Sequence, residues 1–214
     1  MSKLSLSEQI KELETMANRK PFIRRLAGFK YHVLPKVYKG GTDTKLFCKI
    51  VSANVSKGVE VWDIGTGTGL VALQAKRNGA KYVLATDLNP QAVKNARENS
   101  KLLKSKIDIR QTDVFGKIKK KFDIITFNSP FTDHKTEERY QVCFWDENHK
   151  TLRRFLSGIR KYLKSNGRVF IAWASFADLR ELRRITNEYN FTIKEAGRET
   201  GDRGFIYYIF ELIF

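Results

Sequence analysis

The sequence has little cysteine and no long apolar run. Its 214 residues include two cysteines, Cys48 and Cys143, which are too few for a disulfide framework and fit a reducing compartment. Apolar runs such as residues 205–214 are far shorter than the ~20 residues that cross a bilayer. The N-terminus lacks the long apolar segment of a secretory signal, and the three histidines are scattered without nearby metal-ligand partners. We therefore expect a cytoplasmic protein with no membrane contact and no metal site.

Acidic residues are also scarce relative to basic ones. The chain has 40 Lys and Arg against 23 Asp and Glu, a formal net charge of +17. Residues 19–49 hold nine basic residues and one acid, and residues 150–168 hold seven basic residues and no acid. Such a field favours an anionic partner, either nucleic acid or a ribonucleoprotein. The alternative is a lysine-rich surface that only faces solvent.

Strands and helices alternate along most of the chain. Apolar strands are expected in VEVWDI, KYVLATD, KIDIRQ, FDIITF, RVFIAW, FTIKEAG and FIYYIFELIF. Helical patterns follow the first, second, fourth and fifth of these strands, and the helix after FDIITF is expected over residues 148–164. This order predicts an α/β fold with a doubly wound, mostly parallel, seven-stranded sheet. The short segment between the last two strands predicts an antiparallel C-terminal hairpin. We expect one main domain at residues 37–214, preceded by a basic extension or lid at residues 1–36.

The N-terminal extension carries a helix signal and then several breakers. Ser5 and Glu8 fit a capping box that begins a helix over residues 5–18. The apolar residues expected on one face of this helix are Leu6, Ile10 and Leu13. The prolines and the glycine pair at positions 40–41 predict irregular structure over residues 18–41. A second helical pattern runs from Thr42 to about residue 53.

A glycine-rich turn, D-I-G-T-G-T-G at residues 63–69, follows the first strand of the main domain. Such a turn before a helix brings backbone N–H groups close to a nucleotide. The spacing departs from the dinucleotide fingerprint G-x-G-x-x-G, because the third glycine is one residue early. Asp63 would repel a pyrophosphate but attract an ammonium group. The turn therefore favours S-adenosylmethionine, which has a cationic amino-acid end and no phosphate.

Two more acids follow the next two strands. Asp87 ends the second strand, where a carboxylate can accept hydrogen bonds from both hydroxyls of a ribose. Asp113 follows the third strand, where it can accept from the exocyclic amine of an adenine. Either acid alone could merely cap a helix. Three acids in order on successive strands favour a nucleoside site.

The fourth strand runs into N-S-P-F at residues 128–131, at the sheet edge where ligands bind in such folds. The Asn128 side-chain oxygen and a nearby backbone carbonyl can accept hydrogen bonds from an –NH2 group and so orient its nitrogen. Pro130 stiffens the turn, and Phe131 offers an aromatic face. Methyl transfer to a positioned nitrogen needs little acid–base help, so this motif is the predicted catalytic site.

With these motifs, the chain resembles the class I S-adenosylmethionine-dependent methyltransferases from about residue 37 to its end. It is most similar to the HemK-type or small-domain enzymes, which carry N-P-P-Y/F and methylate glutamine, lysine or purine nitrogens. The segment VYKGGTDTKLF is similar to their entry segment, which implies that Asp43 and Thr44 line the site. The cofactor-binding residues implied by the resemblance are Asp43, Thr44, Asp63, Gly65, Thr66, Gly67, Gly69, Asp87, Leu88, Asp113, Val114 and Asn128.

Ser129 departs from the family pattern, which has proline at this position. We expect a less rigid turn and an additional hydroxyl near the target. The favoured function is N-methylation of a translation-related macromolecule, on a protein glutamine or lysine or on an RNA purine. Phe22, Phe29, Tyr31 and Tyr38 are then candidates to stack on bases, or else buried anchors.

Two alternatives stay open. One is a methyltransferase for a small metabolite, with the extension as a lid and with Phe144 and Trp145 shaping an aromatic pocket. The other is a non-catalytic module that binds the cofactor. The sequence does not select among these by itself.

Overall fold

The computed structural model describes residues 4–214, which form a seven-stranded sheet covered by helices and a separate two-stranded hairpin. The helices are α1 (Leu6–Asn18), α2 (Thr42–Asn54), α3 (Leu70–Arg77), α4 (Pro90–Leu102), α5 (Lys150–Gly158) and α6 (Leu179–Glu188). The strands are β1 (Phe22–Leu26), β2 (Phe29–Val33), β3 (Glu60–Ile64), β4 (Tyr82–Asp87), β5 (Asp108–Gln111), β6 (Phe122–Phe127), β7 (Leu163–Ala174), β8 (Thr192–Thr200) and β9 (Ile206–Ile213). Short 3-10 helices cover Arg139–Cys143, Glu147–His149 and Ile159–Tyr162.

The large sheet has the order β5-β4-β3-β6-β7-β9-β8. Strands β3 to β7 pair in parallel, and β9 is antiparallel to both β7 and β8. The predicted doubly wound sheet and its C-terminal hairpin are therefore confirmed. From β3 the chain adds β4 and β5 on one side and then returns to add β6 and β7 on the other side of β3, which makes the β3–β6 boundary the switch point. This topology places the glycine turn beside the N-S-P-F turn.

Side chains of the sheet alternate between two cores. On β3, Val61 packs with helices α2 and α3, whereas Trp62 and Ile64 pack with α5 and α6. The same alternation continues on the neighbouring strands, because successive side chains of a strand point to opposite faces. Both faces are buried, which is why these strands read as continuous apolar runs.

The N-terminal segment differs from its prediction, because residues 22–33 form the hairpin β1–β2 rather than irregular structure. Pro21 and Pro35 flank the hairpin instead of breaking it. Ala27 and Gly28 at its tip both have positive φ, +49° and +73°, as a tight two-residue turn requires. The sequence signal for this hairpin turn is weak because Ala-Gly is a less common turn pair than Asn-Gly.

Helix α1 is confirmed with its capping box, in which Ser5 accepts from Glu8 N and Glu8 accepts from Ser5 N. Of the three apolar residues expected on one face, Leu13 is buried, whereas Leu6 is 45% and Ile10 39% exposed. The buried residues of α1 are Gln9, Leu13 and Met16. These residues face Trp145, so the long loop after β6 decides which side of α1 is covered.

Two asparagines of α4 attach the hairpin to the main sheet. Asn99 Oδ1 accepts from His32 N at 2.8 Å, and Asn95 Oδ1 accepts from Leu34 N at 2.9 Å. The side-chain amides of both residues donate to the His32 carbonyl at 2.9 Å. Both asparagines are fully buried. The free edge of β2 is thus satisfied by side chains, as a buried edge must be.

The helix predicted over residues 148–164 is shorter than expected. Helix α5 ends at Gly158, and residues from Leu163 onward belong to β7. Leu163 pairs with Phe122 of β6, and this strand pairing overrides the local helical pattern. Within residues 4–214, none of the helices combines the length and the apolar character needed to span a membrane.

Candidate functional site

Two cavities meet at the carboxyl edge of the central strands. The inner cavity, of about 110 Å³, lies against the glycine turn and the ends of β4 and β6. The outer cavity, of about 800 Å³, lies between the N-terminal segment, α2 and the loop joining β8 to β9. Tyr38, Asn128 and Cys143 line both cavities. A group bound in one cavity can therefore reach a group bound in the other beside Asn128.

The three glycines of the turn have different environments. Gly65 and Gly67 line the inner cavity with φ of +67° and +55°. A Cβ on Gly67 would meet no heavy atom within 4 Å, so it would project into open space. A Cβ on Gly69 would instead lie 3.2 Å from Ala96 Cβ. The first two glycines form a cradle, and the third allows α3 and α4 to approach closely.

Asp63 lies beneath the cradle rather than on its surface. Its carboxylate accepts from Thr66 Oγ1 at 2.6 Å and from Thr126 Oγ1 at 2.8 Å. Burial raises the pKa of Asp63 to about 6, although these hydroxyl bonds lower it. Asp63 thus fixes the turn and places negative charge behind it. This charge would attract a cationic group bound in front of the turn.

Asp87 lies at the end of β4 and lines the inner cavity. Its carboxylate accepts from Gly67 N and from Asn89 N, both at 2.9 Å. Burial raises the pKa of Asp87 to about 6, against the two backbone bonds, which lower it. Asp87, the second predicted acid, is therefore hydrogen-bonded directly to the glycine cradle.

Asp113 also lines the inner cavity but is half exposed. It forms a two-point ion pair with Arg154 of α5, a partner 41 positions away that was not predicted. The ion pair occupies oxygens that were predicted to accept from an adenine. That role for Asp113 stays a prediction.

Asn128 is held at the junction of the two cavities. Its Nδ2 donates to Asp43 Oδ2 at 2.6 Å, and Tyr38 Oη donates to Asp43 Oδ1 at 2.9 Å. Asn128 Oδ1 is buried and has no hydrogen-bond partner. Burial raises the pKa of Asp43, although hydrogen bonds from Asn128, Thr44 N and Tyr38 lower it. A buried acceptor without a donor is costly, so this oxygen marks a place for an N–H or O–H group.

The rest of the N-S-P-F turn is packed into the fold. Ser129 is buried and its hydroxyl donates to the Ala172 carbonyl at 3.3 Å, so it is not the free polar group expected near the target. Pro130 lines the inner cavity, and Phe131 lines the outer cavity. The Phe131 ring contacts the edge of Trp173 with centroids 5.8 Å apart. The serine hydroxyl therefore ties the turn to β7 where the family has a proline.

The predicted site residues are distributed over the two cavities and the layer behind them. Those lining the inner cavity are Gly65, Gly67, Asp87, Leu88, Asp113, Val114, Asn128 and Pro130. Those lining the outer cavity are Asp43, Asn128, Ser129 and Phe131. Those lining neither are Thr44, Asp63, Thr66 and Gly69.

Sequence reasoning missed a segment that covers the inner cavity. Arg139, Tyr140, Val142 and Cys143 line it from a 3-10 helix in the loop after β6. The length of that loop was the available signal. The volume of about 110 Å³ is below the roughly 300–1,000 Å³ of ordinary ligand pockets. This 3-10 helix has no buried residue and forms one wall of the narrow cavity.

The aromatic residues considered for base stacking are mostly committed to packing. Phe29 and Tyr31 are buried in the core, and Tyr38 is half-buried beside Asp43. Phe22 remains 38% exposed. Phe144 lines the outer cavity, whereas Trp145 is buried and donates to Gln9 Oε1 at 2.9 Å. The expected aromatic pocket is thus only partly present.

The inner cavity fits S-adenosylmethionine in its chemistry. Gly67 leaves open space where a side chain would intrude, and Asp87 supplies a carboxylate at the edge of that space. Leu88 and Val114 supply apolar surface for a flat ring, and Asp63 supplies negative charge behind the turn. In the part of the chain that the structure describes, no cluster of three or more His, Cys, Asp or Glu side chains could hold a metal.

Comparison with known proteins gives a consistent result. The family described as "Methyltransferase small domain" matches residues 38–198. A "Putative protein N5-glutamine methyltransferase" of Methanocaldococcus jannaschii is 32% identical over 183 residues, covering 82% of this chain and 91% of that protein. A "Release factor glutamine methyltransferase" of Streptococcus pneumoniae is 31% identical over 134 residues, covering 57% of this chain and 48% of its own length. The chain thus spans about half of the streptococcal relative.

Solved structures show the same fold. A methyltransferase from Pyrococcus furiosus superposes with a TM-score of 0.67 at 16% identity, covering 96% of each chain. A 16S rRNA N2 G1207 methyltransferase from T. Thermophilus, in complex with AdoMet and guanosine, superposes with a TM-score of 0.66 at 20% identity. The match covers 90% of this chain and 50% of that one.

Proposed function

Because the chain belongs to the methyltransferase small-domain family and is an S-adenosylmethionine-dependent methyltransferase, we propose that it methylates a glutamine side-chain nitrogen in a protein of the translation apparatus. The single observation that carries this proposal is the unpaired, buried Asn128 Oδ1 at the junction of the two cavities. The two sequence relatives described above, both named as glutamine methyltransferases, support the choice of target.

The geometry suits a primary amide. An amide NH2 has two N–H donors, one of which can pair with Asn128 Oδ1 and the other with a carbonyl of the turn. The neighbouring Asp43 carboxylate accepts from Tyr38 on one oxygen and from Asn128 on the other, so both oxygens face protein donors rather than the target. A neutral, planar target therefore fits better than a charged lysine. Phe131 supplies an apolar surface beside it.

The chain's own residues contribute binding, orientation and exclusion of water. When bound, S-adenosylmethionine supplies a methyl group on a cationic sulfur, and the target nitrogen gains this methyl while losing one proton to water. Asn128 orients the target nitrogen, and the cradle at Gly65 and Gly67 holds the donor. Positioning two reactants in this way supplies much of the rate enhancement in such reactions. Burial of the Asn128 Oδ1 atom keeps solvent from competing for it.

Residues 4–36 of the N-terminal segment are proposed to form a wall of the target site. Glu8, Lys11 and Glu12 of α1 and Arg24 and Leu26 of β1 line the outer cavity. This wall borders the outer cavity, which we propose receives the target side chain. A target on the translation apparatus also places the reaction in the cytoplasm, in keeping with the free thiols of Cys48 and Cys143.

The test is to incubate the protein with methyl-labelled S-adenosylmethionine and an extract of the organism that encodes it. Labelled protein is then hydrolysed in strong acid, which breaks N5-methylglutamine and releases volatile methylamine, whereas methyl-lysine survives. We expect the label to be sensitive to protease, resistant to RNase and recovered as methylamine.

Asn128→Ala serves as the inactive control for this assay. Loss of a positioned hydrogen bond to the reacting group should lower transfer by about 10²-fold or more. Label that is removed by RNase, that stays on lysine, or that passes a small-molecule filter would each refute the glutamine assignment. Equal labelling by wild type and Asn128→Ala would refute the role of Asn128.

A further inference from the structure

Asn128 can act as an acceptor only if its side-chain amide is turned the right way. The oxygen and nitrogen of a primary amide are nearly equal in size, so packing alone does not select between the two orientations. In this fold the Nδ2 end faces the Asp43 carboxylate and the Oδ1 end has no protein partner. Whatever fixes this orientation controls the chemistry of the site.

The Asp43 carboxylate provides that selection. It is only 2% exposed and accepts from Asn128 Nδ2 at 2.6 Å. A carboxylate has no proton to donate, so the reversed amide would place two oxygens against each other. The reversed amide would also present its NH2 to the nitrogen of the target, donor against donor.

Tyr38 in turn orients Asp43. Its hydroxyl donates to Asp43 Oδ1 at 2.9 Å, which leaves Oδ2 for Asn128. Both Tyr38 and Asn128 line the inner and the outer cavity, so this chain of hydrogen bonds lies at the junction. We propose that Asp43, held by Tyr38, is the positioning residue that keeps the Asn128 oxygen facing the target nitrogen.

Gly41 shows how tightly the arrangement is built. A Cβ at this position would lie 2.7 Å from Tyr38 Oη and 3.0 Å from Asp43 Oδ1. Its φ is −145°, so glycine is not required here by backbone strain. A side chain would instead separate the tyrosine from the aspartate. The short stretch Y-K-G-G-T-D therefore encodes both partners and the space for their contact.

Three variants test the positioning role. Asp43→Asn gives Asn128 a partner that can donate or accept, so the amide is free to reverse. We expect the methyl-transfer rate at saturating cofactor to fall about 10- to 100-fold, as expected for loss of a hydrogen bond to a charged group. Tyr38→Phe and Gly41→Ala should lower it about 3- to 10-fold, as expected for a neutral hydrogen bond.

A matched control exists at the sheet edge. Tyr82 Oη donates to Asp108 Oδ2 at 2.7 Å, which is a tyrosine–aspartate bond outside both cavities. Tyr82→Phe and Asp108→Asn should therefore leave transfer within about twofold of wild type, a difference of only a few tenths of a kcal/mol. Asp43→Asn should leave the Kd for S-adenosylhomocysteine within about threefold, since Asp43 does not line the inner cavity.

The amide orientation is also measurable without a methyl acceptor. In protein labelled with ¹⁵N-asparagine, the Asn128 side-chain NH2 signals are identified by their loss in Asn128→Asp. We expect one proton shifted strongly downfield by the carboxylate in wild type and in Tyr82→Phe, and a return upfield in Asp43→Asn. Asn128 signals that do not change in Asp43→Asn would overturn the proposal, as would an unchanged transfer rate in that variant.

The catalytic consequence rests on the proposed function, whereas the orientation does not. If wild type labels no glutamine while the Asn128 signals still depend on Asp43, the proposed target is wrong and the orientation stands. If glutamine is labelled and the signals are independent of Asp43, the proposed target stands and the positioning role is wrong.

Discussion

Replacing Gly67 with alanine separates backbone strain from obstruction of the inner cavity. Gly67 has φ of +55°, and an alanine in this left-handed region costs about 1–2 kcal/mol of unfolding free energy. For a domain of this size that loss lowers Tm by roughly 2–8 °C. The added methyl group meets no protein atom within 4 Å, and Gly67 lines the inner cavity, where we expect the cofactor. Forcing a methyl group into an occupied contact costs about 1–3 kcal/mol, so cofactor affinity should fall roughly 5- to 150-fold.

Gly58 supplies the matched control. It also has positive φ, +96°, and a Cβ there also meets nothing within 4 Å, but it lies in the exposed turn before β3. Gly58→Ala should show a Tm loss of similar size and an unchanged Kd for S-adenosylhomocysteine by titration calorimetry. Equal affinities in Gly67→Ala and wild type would refute the assignment of the cradle. Equal losses of affinity in both variants would show that strain, not obstruction, is the cause.

Four further outcomes are expected. The carboxyl groups of Asp63 and Asp87 have pKa values raised to about 6, so they lose their negative charge below pH 6. The affinity for S-adenosylhomocysteine should therefore weaken there, by at most about tenfold per pH unit for each group. Calorimetry at pH 5 and 7.5 checks this. The same raised pKa values mean that unfolding free energy is lost as pH rises from about 4 through 6, by at most about 3 kcal/mol for each carboxyl, which urea titrations would detect. Gln9→Leu leaves the buried Trp145 Nε1 without an acceptor, at a cost of about 1–3 kcal/mol, and hydrogen exchange in α1 should rise. Trp62→Ala empties a fully buried position and should lower the unfolding free energy by about 3–5 kcal/mol in denaturant titrations.

The acids and glycines that end the parallel strands could be identified from sequence because of a topological rule. Strands separated by helices run parallel, so their carboxyl ends meet at one edge of the sheet. Asp87 and Asn128, 41 positions apart, were placed in one site on that ground, and both line the inner cavity. The same rule carried no information about the depth of each side chain. Asp63 therefore proved to lie behind the turn, and Ser129 proved to bond inward to β7.

The N-terminal segment shows the limit of local reasoning. The hairpin at residues 22–33 has a weak turn signal and is fixed by Asn95 and Asn99, more than sixty positions away. The buried face of α1 is likewise selected by Trp145. Contacts with such distant residues do not produce a periodic pattern in the sequence of the segment itself.

The sequence alone determined the alternation of helices and strands, the edge at which the site forms and the class of cofactor. These three features follow from local periodicity and from the order of elements along the chain, both of which can be read from residues close together in sequence. Only the tertiary structure decided that Tyr38, Asp43 and Asn128 form one hydrogen-bonded chain and that Asn128 Oδ1 is the atom left without a partner. The reason is physical: a hydrogen bond depends on distances of a few tenths of an ångström between residues far apart in sequence, and packing sets those distances.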